Sequence, residues 1–418
     1  MKREKLTAIS FSLVIITGCS GTDGEGGGFA SASDGAATAG SAADGATTDG
    51  PAGTGASDGS GDGSVSAGEG PTDTGPETGG ESSAGSEGTG EPGETGDDPQ
   101  TLAEMYPGDV GMGSDPAVLF HDDFESGWGR WDAPQADTTY LSVLDDAGLA
   151  NAGDAFLRSR VTRQHLDKTQ YISASPRFAF EQVEEVFWRF HVQFPEVAPK
   201  PHHWVRLAAG NDEWNSSGLA NTVPGGDQGF WFDLDVTNSD VLNFYTYWHE
   251  MRSGRCNDGS ATPGCDGDQG STYYYGNVFQ PNAQESLPIG EWACIEIHAK
   301  ANALGEYDGA LAFYVNDELV GDYREGNPIG TWLRATFHEG GCEFSACSDP
   351  TPFEGFNFRT SEAVGFKGVF LDAYYQRDTY ENKRQYLEEQ GLMPSEEQTI
   401  YYDDIVVATT RIGCRQEP

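Results

Sequence analysis

Between residues 120 and 408 the apolar side chains recur at every second position, the spacing of strands buried on one face and not of amphipathic helices. The runs are 186–194 (VFWRFHVQF), 203–208, 230–236 (FWFDLDV), 241–251 (VLNFYTYWHEM), 292–301, 310–315, 364–374 and 400–408 (IYYDDIVVA). Turn-forming stretches such as VPGGDQG, ALGEYDG and NDEL separate them. Only 379–390 (TYENKRQYLEEQ) has helical spacing, and it predicts a surface helix inserted between strands. Many strands and few helices in residues 106–418 predict an all-β fold, a jelly-roll β-sandwich of two antiparallel sheets.

The preceding residues cannot join that core. Residues 20–105 are Gly/Ser/Thr/Asp-rich and acidic, with no Lys or Arg and few large apolar side chains, so they predict a disordered, extended linker. Ahead of it, Met1-Lys-Arg-Glu-Lys5 is basic, 6–16 is apolar and Ile16-Thr17-Gly18-Cys19 is a small-residue cleavage site. Residues 1–19 thus resemble a bacterial lipoprotein signal peptide. The resemblance implies lipidation at Cys19 and a cell-envelope location, at the outer membrane or cell surface. The apolar run is too short to span a bilayer, so the lipid is the expected membrane contact.

A formal charge of −43, from 67 acidic against 24 basic residues, argues against nucleic acid as partner, since phosphate binding needs clustered Lys and Arg. Six cysteines besides Cys19 suit disulfides in an exported protein. Cys256 with Cys265 and Cys342 with Cys347 lie close in sequence within Gly/Asp/Ser-rich loops, leaving Cys294 with Cys414. No CxxC pair or Cys/His cluster marks a zinc site, and no cofactor or metal is expected, apart from a possible structural Ca²⁺ at Asp233-Leu-Asp235.

The strand order carries a family resemblance. Phe120-His-Asp-Asp-Phe124 with Gly127-Trp128 opens the domain, Gly290-Glu-Trp-Ala-Cys-Ile-Glu296 leads to Asp308-Gly309, Phe313-Tyr-Val-Asn-Asp-Glu-Leu319 follows, and Tyr401-Tyr-Asp-Asp-Ile-Val-Val407 closes it. Together these resemble the concanavalin A-like jelly-roll polysaccharide lyases, the alginate and glucuronan lyase groups above all, over residues 118–414. The resemblance implies a bent sandwich with a polyuronate groove on its concave sheet.

Alternation indicates which side chains turn away from the core. With Val186, Trp188, Phe190, Val192 and Phe194 inward, Arg189, His191 and Gln193 face out. With Phe230, Phe232, Leu234 and Val236 inward, Trp231, Asp233 and Asp235 face out. Asn243, Tyr245, Tyr247 and His249 likewise oppose Leu242, Phe244, Thr246 and Trp248, while Trp204 and Arg206 oppose Val205 and Leu207. Were these strands neighbours, one face would gather Arg, His, Gln, Trp and Tyr, unlike an ordinary solvated face.

That inventory suits β-elimination of a uronate, which needs a group to neutralise the carboxylate, a base for the neighbouring proton and an acid for the departing glycosidic oxygen. Tyr245, Tyr247, His249 and His191 are the candidate proton-transfer groups, and Arg189, Gln193, Arg206, Trp231, Asp233 and Asn243 the candidate substrate contacts. In the resembled lyases a Tyr-x-Tyr pair does the proton work, and Tyr245-Thr246-Tyr247 occupies the corresponding strand. Those of the alginate type place an Arg where Asp233 stands here, and a carboxylate there repels a uronate unless it is protonated, paired or cation-bound. The expected function is therefore action on an acidic polysaccharide by β-elimination, the alternative being a non-catalytic, lectin-like glycan-binding lipoprotein. A monomer is expected.

Overall fold

The computed structural model describes residues 100–129, 131, 139–211, 221–254, 274–282, 284–342 and 348–417. Cys19, the signal segment, the linker as far as residue 99, and Cys256, Cys265 and Cys347 lie outside the described residues.

Strands β1 (Val118–Asp122), β2 (Leu141–Asp145), β3 (Ala155–Thr162), β4 (Tyr171–Ala174), β5 (Arg177–Val183), β6 (Glu185–Gln193), β7 (Val205–Gly210), β8 (Gly229–Val236), β9 (Leu242–Tyr247) and β10 (Asn277–Gln280) come first. They are followed by β11 (Ala293–Lys300), β12 (Ala310–Val315), β13 (Glu318–Tyr323), β14 (Ile329–Leu333), β15 (Thr336–Glu339), β16 (Thr351–Pro352), β17 (Gly365–Phe370), β18 (Ala373–Gln376) and β19 (Glu397–Ala408). The helices are α1 (Leu102–Met105), α2 (Arg163–Leu166) and α3 (Arg377–Glu389). Helix α3 falls where the spacing predicts it and buries one stripe, Tyr380, Lys383 and Leu387.

The strands form a jelly-roll sandwich. One sheet runs β13-β12-β11-β6-β19-β3-β2, with β1 also paired to β19, and the other runs β16-β14-β15-β10-β9-β8-β7-β17-β5. Pairing is antiparallel throughout both sheets except between β10 and β15. The β12–β13 hairpin turns through Asn316 and Asp317, whose φ of 51° and 68° are the left-handed values such tight turns need. Strands β4 and β18 form a separate two-stranded ribbon.

The inward residues of the two sheets meet in one apolar core. Trp188, Phe190 and Val192 of the first sheet and Leu207, Phe232, Leu234 and Phe244 of the second all belong to it. Edge-to-face pairs lock the layers, Phe190 on Trp204 at 5.6 Å and Phe244 on Phe313 at 5.3 Å between ring centroids. Trp204 corrects the alternation reading. It is fully buried, and its Nε1 donates to the Tyr402 hydroxyl at 2.7 Å. Strand β7 begins at Val205, so the period of two does not extend back to Trp204.

The folded part also begins earlier than residue 106. Thr101 and Glu104 form a reciprocal cap on α1, and Leu102 and Ala103 are buried with Val406, Ala408 and Ile412. Four or five residues with two apolar side chains are enough to dock there, because Leu102 and Ala103 donate backbone hydrogen bonds to Arg411 and Ile412. The C-terminal segment is held in turn by the Cys294–Cys414 disulfide and by Glu296, which accepts from the backbone of Ile412 (2.7 Å) and Gly413 (3.1 Å).

Candidate active site

Alternation assigns a face but not a sheet, and the candidates divide between the two sheets. Arg189, His191 and Gln193 lie on β6 in the first sheet, whereas Arg206, Trp231, Asp233, Asn243, Tyr245 and Tyr247 lie on β7, β8 and β9 in the second. The expected single face of all ten does not form.

The β6 set is structural. Arg189 is fully buried and pairs with Asp109 while also donating to the Asp404 carbonyl at 3.1 Å. His191 sits 3.9 Å from Asp404, and burial together with the cations Arg189 and Arg415 holds its pKa well below the ordinary value, so it is a neutral ring at physiological pH. Gln193 donates to the Gly290 carbonyl at 3.0 Å. A pocket of about 400 Å³ beside this set is lined by Asp109, His121, Asp404 and Arg415 and includes none of the β7–β9 residues.

On the second sheet the register builds a row. Arg177, Phe370, Arg206, Asp233, Tyr245 and Val278 stand opposite one another on successive strands, pointing away from the core. The adjacent row places Gly368, Ala208, Trp231 and Tyr247 side by side. The small residues Gly368 and Ala208 stand beside the Trp231 and Tyr247 rings, which are nearly covered at 5% and 3% exposure, while Tyr245 is half-buried. Trp231 lies stacked on Tyr247 at 4.4 Å, and the Arg206 guanidinium covers the Trp231 ring at 4.1 Å.

The Tyr245 and Tyr247 hydroxyls are 3.5 Å apart. Burial pushes Tyr247 up to about 12 and Tyr245 well above its ordinary value. Gly276 keeps the Tyr245 ring in place: its φ is +87°, and a Cβ there would lie 2.5 Å from Cζ of that ring. His249 lies beyond the end of β9, with Nδ1 3.3 Å from the Phe358 carbonyl and Nε2 3.6 Å from Glu250. Asn243 is buried and donates to the Phe244 carbonyl at 3.3 Å.

Asp233 is completely buried and takes both Arg206 hydrogen bonds, Nε to Oδ1 at 2.6 Å and Nη2 to Oδ2 at 3.0 Å. Arg206 also reaches Asp372 at 3.4 Å. Burial works against the Arg206 charge, but Asp233 and Asp372 outweigh it and keep the guanidinium cationic. For Asp233, burial is the largest influence and pushes the carboxyl up to about 7 against the pull of Arg206 and His203.

His203 is the residue that sequence reasoning missed. Its ring stacks on Tyr245 at 4.7 Å and on Tyr374 at 6.0 Å, and its Nδ1 lies 3.2 Å from Asp235 and 3.5 Å from Asp233. Burial lowers its pKa, but Asp235 and Asp233 outweigh burial and raise it overall. His203 opens the 203–208 run but stands before β7, which begins at Val205, and reaches the site through an isolated bridge to Tyr374. The only local signal is its proximity to Arg206. Among the described residues, His203, Asp233 and Asp235 form the one cluster of metal-ligating side chains, their donor atoms within 4.8 Å of one another.

No protein-family model matches the sequence, and no curated protein matches it. Among solved structures, the alginate lyase Aly36B is similar at 14% identity, over 72% of this chain and 96% of that one, with a TM-score of 0.37. The endo-β-1,4-glucuronan lyase of the fungus Trichoderma reesei is similar at 14% identity, over 70% and 96%, with a TM-score of 0.36. The Emp47p carbohydrate recognition domain is similar at 9% identity, over 71% and 99%, with a TM-score of 0.30.

Proposed function

We propose that the chain binds an acidic polysaccharide along the outer face of the second sheet and cleaves it by β-elimination, with Tyr245 and Tyr247 as the base and acid pair. The observation that carries this reading is the pair of phenol hydroxyls 3.5 Å apart on the second sheet, beside the stacked Trp231 ring. The proton removed and the glycosidic oxygen released belong to adjacent ring carbons, so two neighbouring hydroxyls can serve both from one side. One phenol must lose its proton to act as base while the other keeps its proton for the leaving oxygen. With Cys19 lipidated, the linker would hold this domain off a membrane surface.

One observation favours glycan binding without cleavage. Arg206 is already spent on Asp233 and Asp372, so it offers no free guanidinium to a substrate carboxylate. The two readings separate on incubation of the full chain with alginate, glucuronan and other polyuronates. Growth of the ultraviolet absorbance of unsaturated uronate ends supports elimination, whereas glycan binding with no such product on any of them leaves the lectin-like reading.

A further inference from the structure

We propose that His203, Asp233 and Asp235 bind one divalent cation of the zinc class beside the Tyr245 ring, through His203 Nδ1 and one oxygen of each carboxylate. The donor set is one imidazole nitrogen and two carboxylate oxygens, which suits Zn²⁺ and its transition-metal neighbours better than Ca²⁺, an ion that takes six or more oxygens. The spacing agrees with this choice. Zinc holds such ligands at about 2.0–2.2 Å in a tetrahedron, whose edges are then roughly 3.3–3.5 Å. Nδ1 of His203 lies 3.2 Å from Oδ2 of Asp235 and 3.5 Å from Oδ2 of Asp233.

The remaining carboxylate oxygens are anchored from behind, as ligating carboxylates usually are. Oδ1 of Asp235 accepts from the Trp204 backbone at 2.8 Å, and Oδ1 of Asp233 accepts from Arg206 Nε at 2.6 Å, while the ligating Oδ2 of Asp233 also accepts from Arg206 Nη2 at 3.0 Å and offers the ion its other lone pair. Charge also leaves room for the ion. Asp233, Asp235 and Asp372 surround a single guanidinium, that of Arg206, so carboxyl groups outnumber cations around the site when His203 is neutral. Three protein ligands leave one tetrahedral position open. Resting on the acidic-glycan reading, we assign that position to a carboxylate oxygen of the substrate, the neutralising contact that Arg206 does not supply.

The test uses the full chain stripped with a chelator and titrated with Zn²⁺ by calorimetry, then with Co²⁺ in the visible. One equivalent of Zn²⁺ should bind, and Co²⁺ should give the intense absorption of a four-coordinate ion. His203→Gln and Asp235→Asn should each weaken Zn²⁺ about 100-fold or more, while His298→Gln, which alters the exposed His298–Glu185 pair on the first sheet, should leave it unchanged. Asp233 is kept, because neutralising it would strand Arg206. Absence of stoichiometric Zn²⁺, a weak octahedral Co²⁺ spectrum, or full-strength binding by either ligand variant would overturn the site, and the Co²⁺ spectrum of the unmodified chain decides even if both variants misfold. For the open position, affinity for a glucuronate trisaccharide is measured with and without Zn²⁺. A gain of tenfold or more that Asp235→Asn abolishes supports it. Zn²⁺ bound with no gain refutes that assignment alone, and trisaccharide binding indifferent to Zn²⁺ leaves the glycan reading standing without the ion.

Discussion

Asp233 and Arg206 face each other across β8 and β7 in a two-pronged pair, and Asp233 has no contact with solvent. Removing one partner of a buried pair leaves the other uncompensated, which typically costs about 3–5 kcal/mol. Asp233→Ala should therefore lower stability by that order in chemical denaturation, and Arg206→Met with Asp233→Leu together should cost clearly less. A single variant as stable as the parent would show that the pair does not organise this face.

Tyr245→Phe and Tyr247→Phe remove hydroxyls and keep rings. If the two phenols move protons, each should cut turnover on the cleaved polyuronate by roughly 10² to 10⁴ with little change in KM. Steady-state kinetics on both variants checks this. Near-parental turnover in both would transfer the proton work to other groups.

The pH profile follows from the raised phenol. With Tyr247 near 12, its tyrosinate fraction at pH 8 is about 10⁻⁴ and rises nearly tenfold per pH unit. Elimination should accelerate steadily from pH 7 to 10 without a plateau, as long as the fold persists. A rate that levels off near neutrality would point to an imidazole base instead, since its deprotonation is complete there.

Gly276→Ala should disturb the site without touching a proposed reacting group. The left-handed φ of +87° strains any L side chain by about 1 kcal/mol, and the new Cβ would collide with the Tyr245 ring. Turnover should fall together with a modest loss of melting temperature, and a crystal structure should show the ring displaced. Unchanged turnover would mean that the Tyr245 position is not critical.

Much of the sandwich was legible because the period-two spacing of apolar residues is a local property. The apolar residues expected inward on β6, β8 and β9 do join the core, although the opposite faces of these strands are largely buried too, and the α3 spacing marked the single long helix among the described residues. Which sheet a strand joins depends on pairing with partners far along the chain, and β6 pairs with β11 and β19 rather than with β7. That is why Arg189, His191 and Gln193 were grouped with Tyr245 on alternation alone. Asp233 was visible as an oddity in sequence, with Arg206 and Arg189 as its candidate partners, and strand register decides for Arg206. His203 was missed for the opposite reason: it opens the 203–208 run in sequence, but β7 begins only at Val205, so the run's period does not set its direction.

The separation of the sheets gives a direct check. Arg189→Gln should destabilise the fold, because Asp109 would be left buried without its cation, yet it should not change affinity for any glycan bound over Tyr245. Denaturation curves and binding titrations on the same preparation decide this. A loss of glycan affinity in a folded Arg189→Gln protein would return β6 to the site.

The last prediction concerns Cys294 and Cys414, joined across a sequence separation of 120. In the chain-entropy model a loop of that length restricts the unfolded chain enough to stabilise the fold by about 4–5 kcal/mol. Cys294→Ala with Cys414→Ala should lower stability by that order even though the native C-terminal segment keeps its other anchors. Ile412 remains buried, and Glu296 still accepts from Ile412 and Gly413. Hydrogen exchange should accordingly find those two amides still protected in the variant, while denaturation reports the loss. If the amides exchange freely, the disulfide acts by holding the native segment down, and Glu296 alone is too weak to do so. If stability is unchanged, the unfolded chain is already compact enough that closing the loop costs it little.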